Sequence, residues 1–410
     1  MAVPTFQVLV EWNTAATSTT DVAPFTSTYD DVSADVVGPI QVTRGRTDHL
    51  AQMASGTCSF SLFNPTAPDL YNPNATAAIS AIVNTGGFVP LRPVRIQGTY
   101  SSTTYPIFTG YIRNISWDAD TRHTTFQCED LFLLLSRVYP TWTTDAVANF
   151  GTTGVINTAT AITYALNQAG WTTAALIDVD PGGGDQITSF GPFDGSQNKS
   201  ALSIIEDLVT AERGYFVATP KGVAKYRSRR DYLTQSVAAT LTTNNVQVSS
   251  TQDLDKIVNQ AVVTSSANGA APQIKNDAPS QALYGINGIN ISGNPYIVGD
   301  TQAAGLADYL VYNGKNSVSP VTVTIDNGAT ADITKQLTLD VGSRITVQPT
   351  IASSTKDFII EQVSWTIEEG GLYSQTSYLC SVRGTASLFT IGTTHPPASL
   401  FDSATDLLFY

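Results

Sequence analysis

Gly56-Thr57-Cys58-Ser59-Phe60-Ser61-Leu62-Phe63-Asn64-Pro65 decides how this chain is read. Cys58, Phe60 and Leu62 alternate with Ser59 and Ser61, the period of two that puts apolar side chains on one face of a strand and hydroxyls on the other. Asn64-Pro65 stops the run, because proline donates nothing to a strand ladder. Strand character of the same kind recurs in both directions. It is predicted over residues 6–12, 40–44, 94–100, 107–117 and 124–128, and downstream over 257–264, 321–325, 344–348, 358–367 and 378–382.

Helical periodicity is rarer. Short helices are predicted over 75–83, closed by Gly86-Gly87, and over 129–137, acidic at its start and basic at its end as the macrodipole favours. Ile156, Ala159, Ile162 and Leu166 mark an amphipathic helix over 154–169 that stops at Gly170; Leu202, Ile205, Leu208 and Val209 mark another over 199–213, before Gly214. A hairpin follows, with Thr219-Pro220-Lys221-Gly222 as its turn. Residues 267–299, rich in Gly and Asn, read as a loop before one helix over 301–312. The chain has 410 residues, room for two to four domains, of which only 13% are charged. That is well under the ~25% usual in soluble domains. Thr, Ser, Val, Asn and Gly fill the difference and favour strands and turns, so the fold class is mainly β. The expected organisation is a β domain over 1–139, an α+β unit over 140–250, a second β domain over 251–385 and an extended apolar arm over 386–410.

The two β regions carry the same markers in the same order. Arg344 follows Arg95 by 249 positions, Trp365 follows Trp117 by 248, and Cys380 follows Cys128 by 252. Near-constant spacing across Val94-Arg95-Ile96 and Ser343-Arg344-Ile345, then Ile115-Ser116-Trp117 and Val363-Ser364-Trp365, points to a duplicated domain.

Charge and composition exclude several classes. A net charge of −13 opposes general phosphate binding. DNA passing through an acidic or neutral channel would nonetheless make no retaining contacts. The local basic run Lys221, Lys225, Arg227, Arg229 and Arg230 reads as a solvated hairpin face. Cys58, Cys128 and Cys380 have no metal-type spacing and read as small buried residues rather than disulfides. The N-terminus shows no signal-peptide pattern, and no stretch approaches the ~20 apolar residues of a membrane span. His49, His123 and His395 lack metal-site spacing, and no nucleophile elbow or phosphate loop is present. Asp178, Asp180 and Asp185 around Gly182-Gly183-Gly184 could hold a hard cation, although the spacing departs from an EF-hand and a solvated acidic loop is the plainer reading. Glu368-Glu369-Gly370-Gly371 is a turn between strands. The expectation is a chain without catalytic, cofactor or metal residues.

The stretches Val42-Thr43-Arg44-Gly45-Arg46, Gly56 through Pro65, Leu91-Arg92-Pro93-Val94-Arg95-Ile96, Phe108-Thr109-Gly110-Tyr111-Ile112, Glu129-Asp130-Leu131, Arg213-Gly214-Tyr215-Phe216 and Leu339-Asp340-Val341-Gly342-Ser343-Arg344 resemble, in order and spacing, the baseplate-hub or distal minor tail proteins of tailed bacteriophages. The resemblance covers nearly the whole chain. It implies two tube-type β-barrel or sandwich domains with an inserted lateral α+β domain. It also implies a homotrimer in the virion, made in the host cytoplasm, that caps the tail tube and adapts sixfold to threefold symmetry. Its partners would be a distal tail protein, a tape-measure protein and a spike or fibre protein, with DNA only as passing cargo and no membrane insertion. The chain ends soon after the second tube domain, so an appended enzymatic or fibre domain is not expected. Two other classes stay open on sequence: a receptor- or carbohydrate-binding tail protein, and a cell-wall hydrolase with dispersed carboxylates.

Overall fold

The computed structural model describes residues 3–12, 29–47, 51–64, 70–73, 89–142, 155–180, 183–191, 193, 199–229, 231, 235–242, 246–250, 254–315, 321–328, 330–348 and 356–382. The helix predicted over 75–83, His49, His395, Arg230 and the arm over 386–410 lie outside them.

The chain is mainly β. The first region supplies β1 (Thr5–Val10), β2 (Asp30–Asp31), β3 (Val36–Gly45), β4 (Ala54–Phe63), β5 (Pro93–Tyr100), β6 (Thr103–Asp118) and β7 (His123–Glu129), then a short helix α1 (Phe132–Leu135). The middle region holds β8 (Ile156–Asn157), helix α2 (Thr158–Gln168), β9 (Ile177–Val179), β10 (Gln186–Ile187), helix α3 (Ala201–Glu212), β11 (Tyr215–Ala218) and β12 (Ala224–Arg227). The last supplies β13 (Val237–Thr242), β14 (Val246–Ser250), β15 (Gln260–Val263), β16 (Gln273–Asn276), helix α4 (Ala278–Tyr284), β17 (Gly288–Ile291), helix α5 (Asp300–Gly314), β18 (Val321–Asp326), helix α6 (Thr330–Thr338), β19 (Arg344–Gln348), β20 (Lys356–Ile367) and β21 (Ser374–Val382).

Thirteen strands from both ends of the chain form one sheet. Its order is β14-β18-β21-β20-β3-β4-β7-β6-β5-β1-β2, with β19 and β13 continuing from β20. The marker echo in the sequence is a strand-for-strand repeat: β3-β4-β7-β6-β5 in one half answers β14-β18-β21-β20-β19 in the other. Registers agree as well. Ile112 faces Cys128 and Trp117 faces Thr124, while Ile360 faces Cys380 and Trp365 faces Thr376. Each middle strand carries a bulge at the equivalent position, Arg113 in β6 and Glu361 in β20. A bulge in the same register of both copies is a retained feature, because it sets where the strand bends.

Apolar alternation builds the core. Cys58, Phe60 and Leu62 point to the buried side of β4, and Phe60 stacks on its cross-strand neighbour Phe126 with ring centroids 5.0 Å apart. Each such aromatic contributes about 2–3 kcal/mol by leaving water. The predicted helices over 154–169 and 199–213 are α2 and α3. Asn157 caps α2 by accepting the Thr160 N–H, and Ser200 caps α3 by accepting the Ser203 N–H.

Two segments depart from expectation. Residues 267–299 are not a loop: they contain β16, α4 and β17, organised by the buried Asn259 amide rather than by an apolar run. Its Nδ2 donates to Gly285 O (2.7 Å) and Ser280 Oγ (3.2 Å), and its Oδ1 accepts the Asn287 N–H (2.8 Å). One polar residue satisfying that many neighbours leaves no period to read. Strands β13 and β14, placed by sequence within the 140–250 unit, pair with β19 and β18 and so belong to the large sheet.

The two repeats join where β20 turns from β19 to β3: Ile367 faces Ile40, Trp365 faces Val42 and Gln362 faces Gly45. Gly45 sits at φ +109, and a Cβ there would stand 2.1 Å from the Glu361 carbonyl oxygen. Gly38 shares a positive φ, +68, but has open space around it. Gly38→Ala should therefore cost about 1 kcal/mol for the left-handed backbone alone. Gly45→Ala should cost roughly 2 kcal/mol or more beyond that, because two backbones must separate. Denaturant midpoints of the two variants measured together check the difference.

Candidate functional site: a neutral polar face across both repeats

The side of the sheet opposite the core is continuous over eight strands, from β14 to β6. Register fixes its composition. In the second repeat, Ser249 faces Thr322, Gln247 faces Thr324, and Thr324 faces Ser377. Ser377 faces Ser364 and Gln375 faces Thr366. Across the junction, Ser364 faces Thr43 and Thr366 faces Gln41. In the first repeat, Thr43 faces Thr57, Gln41 faces Ser59, and Ser59 faces Gln127, which faces Asn114. These side chains are half-buried or exposed, whereas their strand neighbours Val42, Cys58, Phe126, Trp365 and Val323 are buried.

Hydroxyls and amides thus form one band, and they bond to each other across strands. Ser61 Oγ lies 2.8 Å from Thr125 Oγ1, and the equivalent pair in the other repeat, Thr324 Oγ1 and Ser377 Oγ, lies 3.1 Å apart. No Lys or Arg falls within the band. Charge enters at its margins, as Asp118, Asp326 and the Arg113–Glu129 ion pair. Such a surface is wettable yet holds no cation to retain a phosphate. The Ser and Thr alternation was legible in sequence; that both repeats present it on one surface was not.

Behind the band, the junction is held by buried charge. Arg46 Nε donates to Glu361 Oε2 at 2.7 Å, and Arg44 Nη2 to Asp340 Oδ1 at 2.5 Å; the Arg46, Arg44 and Glu361 side chains are nearly inaccessible. Arg44 also donates to the Ala218 carbonyl at 3.2 Å, tying the middle region to the same point. Asp130 is buried nearby. Its carboxylate accepts the Gly56 N–H (2.7 Å) and the Phe132 N–H that opens α1 (2.9 Å). Burial pushes it up to about 7, against the pull of those two donors and of Arg44.

The acidic residues around the Gly cluster do not converge. Asp178 pairs with Arg227 at 2.7 Å, Asp185 pairs with Arg229 at 3.2 Å, and Asp180 shares a hydrogen bond with Asp231 that, with burial, raises it to about 6. Among the described residues no group of three or more His, Cys, Asp or Glu is arranged to hold a metal ion. The basic run is also not a uniformly solvated face. Arg229 donates to Asp185 and to the Glu212 carbonyl and lies over the Tyr309 ring, while the buried Glu212 accepts the Asp185 N–H at 2.6 Å and is pushed up to about 8 by burial. Gln302 of α5 donates to the same Asp185 carboxylate at 3.2 Å. Sequence gave no sign of this network, whose members lie far apart in the chain. His123 packs edge-on against its cross-strand neighbour Phe63. The three cysteines are free thiols, buried, with burial pushing each upward. No helix among the described residues is long and apolar enough to cross a membrane.

No family model and no curated protein matches the sequence. Solved structures do match. A tail protein from Neisseria meningitidis superposes with a TM-score of 0.56 at 11% identity, covering 93% of this chain and 97% of that one. The 43 kDa tail protein of prophage MuSo2 from Shewanella oneidensis gives 0.54 at 11% identity, covering 92% and 96%. The chain has the fold of these tail proteins. The likeness extends over both repeats and the regions between them.

Two measurements test the junction. Arg46→Met leaves Glu361 buried without its partner and should cost about 3–5 kcal/mol, whereas Arg46→Met with Glu361→Met should recover most of that loss. Asp130 holds its proton more tightly folded than unfolded, where a carboxyl titrates near ~3.9. Stability should therefore fall as pH rises from about 4 to about 7 and level off above. Asp130→Asn should flatten that part of the profile, as read by thermal melts of both proteins across the range.

Proposed function

We propose that this chain is a non-enzymatic structural component of a phage tail tip, a hub whose neutral polar face lines a channel for the genome. The single observation that carries the reading is the band of Ser, Thr, Asn and Gln that runs over both repeats, with Leu379 and Val37 as apolar interruptions on the same face. A surface that DNA must slide past needs water-compatible groups and no phosphate-binding cations. The net charge of −13 supports the same reading, since the surroundings also repel phosphate.

The repeat supplies the geometry. Two like units in one chain give six around an axis when three copies assemble, so a homotrimer presents sixfold character to a tube and threefold character beyond it. In this proposal residues 1–139 and 251–385 are the ring units, with the second extended back to β13 at Val237. The region from 140 is lateral, and 386–410 is an arm that packs on a neighbour. Partners would be a distal tail protein, a tape-measure protein and a spike or fibre protein. The fold likeness to tail proteins of Neisseria meningitidis and Shewanella oneidensis favours this over a hydrolase or an isolated receptor-binding module.

Native mass of the purified full chain across a concentration series tests the reading, with imaging of any assembly formed. A trimer with an open axis is the expected result. A chain that stays monomeric at high concentration, and is missing from tail tips imaged with antibody, would overturn it.

A further inference from the structure

Resting on the reading of 386–410 as an arm, we infer that its first part, Leu388, Phe389 and Ile391, seats on the insertion between β14 and β18 of the same chain, over an exposed apolar ridge at α4. The remainder of the arm then reaches a neighbour from a fixed point.

The ridge is formed by α4 and the residues that follow it. Ala282, Leu283, Tyr284 and Ile286 are exposed, Leu283 at 76% and Ile286 at 71%. Leu254, also exposed, joins them, because Asn287 Nδ2 donates to its carbonyl at 2.8 Å. The backbone beneath is held firmly. Asn259 binds Gly285 and Asn287 on one side, and Ser280 Oγ donates to the Lys315 carbonyl just past α5. Contiguous apolar side chains presented to water on a fixed backbone mark a surface that another segment covers.

Three observations name that segment. The first is where the chain leaves the large sheet. Strands β14 and β21 run in the same direction on either side of β18, and Ser250, Val321 and Cys380 form one row. Adjacent strands stand about 4.8 Å apart, which puts Ser250 and Cys380 roughly 10 Å from each other. Leu254 follows Ser250 by four residues and Leu388 follows Val382 by six. At up to ~3.5 Å per residue, the two segments meet within that reach. The foot of the insertion and the root of the arm are side by side.

The second observation is charge. Residues 386–410 contain no Lys or Arg, and their only acidic groups are Asp402 and Asp406. Beside the ridge, Asp277 is paired with Lys315 at 3.1 Å, and Lys256 follows Asp255. The surroundings are balanced in an otherwise acidic chain, so they do not repel such a segment. The third is the repeat. On leaving β7, the equivalent of β21, the chain buries Leu131, Phe132 and Leu135 at once, with Phe132 stacked on Phe216 of the middle region at 5.5 Å. On leaving β21 it next offers Leu388, Phe389 and Ile391.

Maleimide labelling of a cysteine placed on the ridge tests the seat in the full chain. The native cysteines are buried and give the unreactive baseline. Ile286→Cys should react at least tenfold more slowly than Leu372→Cys, a position 75% exposed at the far end of β21. Replacing Leu388, Phe389 and Ile391 together by Ser should restore fast labelling at 286 and leave 372 unchanged, at concentrations where native mass shows a monomer. Equal rates at 286 with and without the Ser substitutions would overturn the seat. Protection that disappears on dilution would overturn it too, since it belongs to the arm of a second copy. Native mass reads the ring separately: a trimer without protection loses the seat and keeps the ring, whereas protection in a chain that never assembles keeps the seat and counts against the ring.

Discussion

The close crossing of β3 and β20 is the constraint on which the rest depends. It brings residues more than three hundred positions apart into one ladder, and it has no slack: Gly45 must lack a Cβ because the Glu361 carbonyl occupies that space. The same few residues then carry one buried ion pair, Arg46–Glu361, and one partly buried, Arg44–Asp340, and Arg44 reaches on to the Ala218 carbonyl of the middle region. Buried pairs of this kind add little net stability over apolar packing of the same volume, but breaking one leaves a bare charge. Their effect here is to fix register. A slip by one residue would turn the polar band inward and expose Val42 and Trp365.

That register is what makes a single surface out of two repeats. Each repeat alone would be a twisted antiparallel sheet with a wet side, an ordinary arrangement. Joined edge to edge, they extend the wet side across eight strands with hydroxyls and amides predominating throughout. The near-absence of charge within the band contrasts with the acidic chain as a whole, whose ion pairs lie behind the sheet, at the margin of the band, in the middle region and in the insertion between β14 and β18. A face built from hydroxyls and amides that bond to one another across strands stays hydrated without fixing a polyanion.

The repeats have diverged in what hangs from them. Between β14 and β18 the chain inserts a small sheet with α4 and α5, organised around Asn259, where the first repeat passes from β3 to β4 directly. The middle region is drawn to this insertion through Arg229, Asp185 and Gln302. These additions leave the shared eight-strand path untouched.

Sequence alone determined the strands, because Cys58-Ser59-Phe60-Ser61-Leu62 and its relatives declare a period of two, and it determined the repeat, because three markers kept their spacing. It also located α2, α3 and α5, whose apolar stripes are regular. It missed α6, whose buried face mixes the polar Asp332 and Gln336 with Ile333 and Leu337, and it missed β13 and β14, short and rich in Ala, Thr and Ser. Only the tertiary structure decided which carboxylates meet which cations: Asp178 and Asp185, close in sequence, pair with different arginines, and Asp180 shares a hydrogen bond with Asp231. Only it placed the hydroxyls of both repeats on one face. Periodicity is a local property that residues fix for themselves, whereas strand order and register are settled by contacts between segments far apart in the chain.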